Sequence, residues 1–179
     1  MKRLLMIALT LVFTGGSAFG QAGEIDVFSD IGYSDCMVTD LFPGPITLYI
    51  VHTNSVGATE SQFKMDLPST LTWLGETSPY LVIGQSTGGV TVSYGSCLQS
   101  PILLLTVDVQ GMGLTPPCSY ISIVADPAAL SGLIEAVDCN SFKMYPNPGW
   151  AVVNPNSLCN SCEVLVGQAT WGSIKALYQ

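Results

Sequence analysis

The chain has 179 residues, of which 48% are hydrophobic and only 10% charged, with a formal net charge of −8. That length suits one domain with a substantial core. The acidic balance excludes proteins that work by neutralising a row of phosphates, and it is poorly matched to anionic lipid surfaces.

At the N-terminus, Lys2 and Arg3 precede an apolar run from Leu4 to Phe13, closed by Gly15, Gly16, Ser17 and Ala18. This is the three-part layout of a secretory signal peptide. The run is shorter than the roughly 20 apolar residues that span a bilayer core. Small residues permit cleavage after Gly20 or Ala22, and Gly20 is preferred. Residues 1–20 are therefore read as signal, 21–165 as a folded domain and 166–179 as a C-terminal amphipathic segment. Beyond residue 20 the chain keeps three lysines (Lys64, Lys143 and Lys175), no arginine and all 13 carboxylates, a net charge of −10. The expected location is secreted, extracellular or cell-surface, with the periplasm also open, and no membrane span is expected in the mature chain.

Short runs of alternating apolar and polar residues follow, separated by Gly, Pro, Asn and Ser, which is strand periodicity. Residues 24–28 (EIDVF) read as a first strand. In residues 45–53, Leu48 and Ile50 are expected inward. Ser61, Phe63, Met65 and Leu67 share one face, and Val90, Val92 and Tyr94 share another. The nearly all-apolar PILLLTVDV (101–109) reads as a central strand covered on both sides. Residues 119–125 and 132–138 read as a hairpin, with a single helical turn at Ala128–Leu130. Asn147-Pro148-Gly149 and Asn154-Pro155-Asn156 mark a turn-rich region. In residues 170–179 (TWGSIKALYQ), Trp171, Ile174, Leu177 and Tyr178 fall on one helical face, which predicts a short C-terminal helix. The fold expected is all-β, a two-sheet antiparallel sandwich of cohesin-like or immunoglobulin-like type with disulfides.

The six cysteines, Cys36, Cys97, Cys118, Cys139, Cys159 and Cys162, read as disulfides in an exported chain. If 119–125 and 132–138 form a hairpin, their outer ends meet, which predicts Cys118–Cys139. Cys36–Cys97 is the second pairing suggested, leaving Cys159 and Cys162. Their C-x-x-C spacing also fits a redox or zinc motif, but a zinc site needs four ligands and the chain has one histidine.

That histidine, His52, ends a strand-like run; as a general base it would need a nucleophile and an orienting carboxylate. A carboxylate pair for glycoside hydrolysis is not marked by any spacing among Glu24, Asp26, Asp30, Asp35, Asp40, Glu60, Asp66, Glu76, Asp108, Asp126, Glu135, Asp138 and Glu163. Asp26, Asp30, Asp35 and Asp40 lie in a stretch that reads as a calcium loop or, more simply, as a solvated acidic one. Trp73, Tyr80, Tyr145 and Trp150 are candidates for a sugar-stacking platform; Trp150, after Pro148-Gly149, and Tyr145 are the pair expected at the surface. No catalytic set, cofactor or metal site is assigned.

Residues 44–109 (GPITLYIVHTN, then GATESQFKMDLPSTLTWLGETSP, GGVTVSYG and PILLLTVDV) resemble the cohesin group of exported bacterial β-sandwiches, related in architecture to carbohydrate-binding modules. The resemblance implies the sandwich. Cohesins bind dockerin modules, but this chain carries no dockerin-type calcium repeat, and no binding residue is transferred. The ending TWGSIKALY is similar to that of other exported proteins of environmental bacteria, which makes Trp171, Ile174 and Tyr178 either a cover for one sheet or a sorting tail. The function expected is non-enzymatic binding or envelope assembly, with a protein or glycan partner or self-assembly. The alternatives are a carbohydrate-binding module and a small hydrolase.

Overall fold

The computed structural model describes residues 22–159 and 162. The predicted signal peptide and the tail with Trp171, Ile174 and Tyr178 lie outside the described residues, as does the expected C-terminal helix. The chain forms β1 (Glu24–Phe28), β2 (Met37–Val38), β3 (Pro43–Thr53), β4 (Ala58–Asp66), β5 (Thr72–Thr77), β6 (Leu81–Gln85) and β7 (Gly89–Leu98). It continues through β8 (Ile102–Met112), β9 (Ser119–Val124), β10 (Glu135–Asp138), β11 (Lys143–Met144), β12 (Asn147–Pro148) and β13 (Trp150–Val153). There is no helix among the described residues; Ala128–Leu130 is part of a turn held by Asp126.

One sheet runs β12-β1-β3-β8-β5. The other is built around β4, which pairs with β7, β9 and β10; β6 extends it beyond β7, β13 and β2 beyond β9, and β11 beyond β10. Most pairings are antiparallel, as expected, but β12 lies parallel to β1 and β2 parallel to β13. The inward rows Ile25 and Val27, Leu48 and Ile50, Phe63 and Met65, Val90 and Val92, and Ile121 and Ile123 fill the space between the sheets. The expected alternation at 61–67 and 90–94 is seen: Ser61, Phe63, Met65, Val90, Val92 and Tyr94 are all buried.

The apolar run 101–109 has a different cause from the one expected. β8 is not covered on both faces: Leu103, Thr106 and Gln110 are half-buried and Asp108 is exposed. Leu104 and Leu105 are both buried because the pairing with β3 jumps from Ile50–Leu105 to Val51–Leu103. The extra residue resets the phase of the strand, so two neighbours point inward.

The disulfides are Cys36–Cys162, Cys97–Cys139 and Cys118–Cys159. The expected Cys118–Cys139 and Cys36–Cys97 pairs are therefore incorrect, and Cys159 and Cys162 do not pair with each other. β9 and β10 form no hairpin. Both run antiparallel to β4, β9 along Asp66–Lys64 and β10 along Gln62–Ala58. Cys118 before β9 and Cys139 after β10 thus stand at opposite ends of β4, roughly 30 Å apart for a strand of that length. The strand that returns beside β9 is β13, with Val153 opposite Ser119, so Cys118 meets Cys159. Cys97, near the end of β7, and Cys139, just after β10, lie on either side of β4 and close past its first residue. Gly57 gives them room there, since a Cβ at that position would lie 2.8 Å from the Cys139 sulfur.

Non-reducing peptide mapping is expected to return these three pairs, and a Cys118–Cys139 peptide would contradict the strand order. Opening Cys36–Cys162, which spans 126 residues, by a double Cys→Ala substitution is expected to lower unfolding free energy by about 3–5 kcal/mol in denaturant titrations.

Candidate functional site

The outward face of β1 carries Glu24, Asp26 and Phe28, because Ile25 and Val27 point into the core. The register sets them beside outward residues of β3: Glu24 opposite Thr53, Asp26 opposite Val51, Phe28 opposite Tyr49. The loop after β1 folds back over this face. Tyr33 packs on Phe28 and Tyr49 with ring centroids 6.0 and 6.5 Å apart. Val51 is fully buried although it lies outside the main core cluster.

Asp30 holds the loop in place: its carboxylate accepts from the backbone N–H groups of Gly32, Ser34 and Asp35 and from the Ser34 hydroxyl. These donors, the Asp35 N–H foremost, keep its carboxyl below the ordinary range. Asp35 accepts from Met37 N–H at 2.8 Å, and the Cys36–Cys162 bridge ties the end of the loop down.

Trp150 completes the wall. Asn147-Pro148-Gly149 is not merely a turn but the place where the chain changes sheet. β12 pairs with β1, Gly149 N–H donates to the Ile25 carbonyl at 2.9 Å, the Gly149 carbonyl accepts from Ile123 N–H at 3.0 Å, and β13 continues beside β9. Gly149 is required because a Cβ would lie 2.2 Å from an Asp26 carboxylate oxygen and 2.7 Å from its Cα.

The result is a cleft of about 330 Å³ lined by Glu24, Asp26, Phe28, Tyr33, Thr53 and Trp150 among others, with Cys36 and Cys162 in its wall. It adjoins a second depression that shares Tyr33, Thr53 and Asn54. Burial pushes the Glu24 carboxyl up, reinforced by the Asp26 charge and opposed by a hydrogen bond from Asn147. Burial also raises Asp26, opposed by the Thr53 hydroxyl, which donates to it at 2.5 Å.

The residues singled out in the sequence separate in space. Asp26 and Trp150 meet in this cleft, a juxtaposition no local spacing announced. Asp26 is on a strand rather than in a loop. Asp30 and Asp35 are engaged by their own loop, and Asp40, 1% exposed, sits elsewhere. Asp40 accepts from Gly113 N–H and from the backbone and hydroxyl of Thr115. Burial pushes its carboxyl up, but the Thr115 hydroxyl and the N–H groups of Gly113, Thr115 and Leu114 outweigh that and leave it low. No group of three potential metal ligands converges among the described residues.

Tyr145 lines a different hollow with Leu133 and Pro148, while the far side of Trp150 faces Tyr120 and Ser122. The two hollows adjoin through Ile123 and Pro148. Trp73 and Tyr80 pack against the core, Trp73 donating its indole N–H to Glu76.

His52 lies between the sheets, fully buried like Ser61. Its Nε2–H donates to the Ala22 carbonyl at 2.7 Å, leaving Nδ1 as an acceptor beside the Ser61 and Tyr94 hydroxyls; one of these donates to Nδ1 and the other donates to its fellow hydroxyl. A serine thus stands beside the histidine, but the orienting group is a carbonyl rather than a carboxylate, and no solvent reaches it. Burial holds His52 below its ordinary range, with the Ala22 carbonyl opposing. Burial likewise raises the Tyr94 phenol.

No protein-family model matches the chain, and no curated protein matches it in sequence. Solved structures do match. In the crystal structure of a complex of CaCohA2 with a CaDoc0917 variant, the TM-score is 0.50 at 12% identity, over 73% of this chain and 98% of that one. A type I cohesin–dockerin complex, Coh-OlpA with Doc918 from Clostridium thermocellum, gives 0.49 at 10% identity, over 73% and 97%. The non-cellulosomal cohesin of the archaeon Archaeoglobus fulgidus gives 0.48 at 12% identity, over 73% and 89%. The fold is a cohesin-like β-sandwich.

A histidine whose folded value is depressed takes up its proton more readily when unfolded. Its contribution to stability is therefore full above about pH 6.5 and falls as the pH drops below that. Glu24 and Asp26, with raised carboxyls, act in the opposite sense as the pH falls. Thermal unfolding of wild type and His52→Gln from pH 8 to 5 isolates the histidine: the fall below pH 6.5 is expected to be steeper in wild type. Gly149→Ala is expected to lower unfolding free energy by roughly 1–3 kcal/mol through overpacking against Asp26, read by denaturant titration.

Proposed function

We propose that the chain is a non-enzymatic binding module, exported to an oxidising compartment, and that the cleft beside Trp150 holds a protein partner. The observation that carries this reading is the composition of the cleft wall. Glu24 and Asp26 are half-buried beside Phe28, Tyr33 and Trp150, on a frame held by three disulfides. Disulfides of this number fit an exported chain. A rigid wall that mixes rings and carboxylates has the features of an interface anchor. The solved structure with the TM-score of 0.50 is of a complex, CaCohA2 with its CaDoc0917 variant, so the sandwich occurs there in a protein pair.

Hydrolysis fits the site less well. Glu24 and Asp26 are two residues apart on one strand face, so both approach a ligand from the same side. Glycoside cleavage needs carboxyl groups flanking the scissile bond. A second reading, carbohydrate binding, is favoured by Trp150 standing beside Asp26 and Thr53, since a ring face and hydrogen-bonding groups suit a sugar.

Wild type and a Glu24→Gln/Asp26→Asn/Trp150→Ala variant, immobilised side by side against exported proteins and a glycan array, test this. A protein retained at least about tenfold better by wild type, a difference of about 1.4 kcal/mol, is the expected outcome. Glycan retention lost in the variant would select the second reading. Turnover of a glycoside or ester substrate panel would overturn both.

A further inference from the structure

Among the described residues the two sheets end on the strands β2, β5, β6, β11 and β12. All but β6 are guarded against pairing with another chain. β2, β11 and β12 are two residues long, and β12 carries Pro148. β5 is interrupted by a bulge between Trp73 and Gly75 and bears Glu76. Short edges, bulges, charges and proline all keep an edge from acting as a template. β6 has none of these over Leu81–Ile83; it pairs with β7 on one side and has no described strand on the other.

This open stretch is bounded at both ends. Pro79 lacks an N–H, and the Tyr80 N–H donates to the Ser78 hydroxyl at 3.1 Å. Gly84 has a φ of +92°, and a Cβ there would collide with the Gly89 carbonyl, so regular extended backbone stops at Ile83. Val82 packs against the core, which turns Leu81 and Ile83 outward, 65% and 63% exposed.

Charge narrows what can occupy such an edge. From Thr77 to Val107 no residue is charged, although the whole chain stands at −8. Beside Leu81 and Ile83 on β7 are Ser93 and Thr91. Glu60, the nearest charge in those rows, is two strands in, about 10 Å away. Glu76 is engaged by the Trp73 indole and the Ser86 N–H of its own chain. A charged partner therefore finds nothing to match here. A second copy is repelled by the rest of an acidic surface, but at this edge it meets no carboxylate and brings the same uncharged strand. Two copies of a three-residue stretch, run antiparallel, share one centred register. Val82 faces Val82, and Leu81 faces Ile83 in both directions, so the four exposed side chains become cross-strand neighbours on one face.

We propose that β6 is a self-association edge, where two copies pair antiparallel about Val82 and join their sheets into one. The contact is isologous, so it closes at a dimer. A ladder this short buries little area, so the dimer forms and parts with concentration. The inference is independent of the cleft, which is built on β1 in the other sheet.

Sedimentation velocity of the mature chain from about 1 μM to about 1 mM is expected to show a monomer–dimer equilibrium. Ile83→Lys and Leu81→Glu, both at exposed positions, are each expected to weaken the dimer at least about tenfold. Mixed in equal amounts, the two variants are expected to associate about tenfold more tightly than either alone, because the register sets the new carboxylate opposite the new ammonium. A wild type that stays monomeric throughout, association unchanged in the single variants, or no gain on mixing would each overturn the proposal. Should circular dichroism show that Ile83→Lys disturbs the fold, Ile83→Thr keeps the β-branch and is still expected to weaken the dimer; unchanged association there would overturn the proposal equally. The Glu24→Gln/Asp26→Asn/Trp150→Ala variant is expected to dimerise as wild type does, and a loss of association in it would place the contact at the cleft and overturn the edge assignment.

Discussion

Ser61, Phe63 and Met65 are fully buried, and side chains alternate along a strand, so burying these three leaves β4 only one register. A slip of one residue would send all three to solvent and bring Gln62, Lys64 and Asp66 inward. That register places Phe63 opposite Val90 on one edge. On its other pairings it places Gln62 opposite Glu135 and Asp66 opposite Ser122. β9 then positions β13, β13 positions Trp150, and the backbone of Gly149 bonds to both sheets. The cleft is thus a distant consequence of a buried row on a strand that does not line it.

What the sequence revealed divides along the same line. The inward residues of β3, β4 and β7 were legible because alternation is a local property, written in neighbouring side chains. The hairpin expected at 119–138 was wrong because two adjacent runs need not pair: both lie instead along the longer strand β4. The disulfide error followed directly, although the rule behind it held, since ends of antiparallel neighbours do meet. It was applied to β10 when the neighbour was β13. A signal was available in Gly57 and Gly149, whose missing side chains admit a disulfide and a carboxylate, but a glycine in sequence does not say what approaches it. Trp150 was legible as a surface residue and Asp26 as an acidic one. Their meeting was not, since 123 residues separate them and the contact depends on a change of sheet.

Acidic residues show how little residue type fixes behaviour. Asp40 and Asp26 are both withdrawn from water, yet their carboxyls move in opposite directions. Asp40 faces several N–H and hydroxyl donors, so its charge is answered locally and two loops are locked together. Asp26 has the Thr53 hydroxyl and a neighbouring glutamate. The first is a structural carboxylate whose hydrogen-bonding capacity is taken up. The second accepts from one side chain among the described residues, and burial pushes its carboxyl up.

Preorganisation links the disulfides to the cleft. The Cys36–Cys162 bridge closes the loop whose Tyr33 roofs Phe28, and the Cys118–Cys159 bridge joins the start of β9 to the chain beyond β13. Both restrain backbone that frames Trp150. Ordering a flexible cleft on binding costs about 0.5–1.5 kcal/mol for each side chain immobilised. Here covalent bonds and the Asp30 loop contacts impose much of that order during folding. The penalty that remains falls on the ligand. A cleft so constrained favours a partner by the placement of its charges and rings more than by its extent of contact.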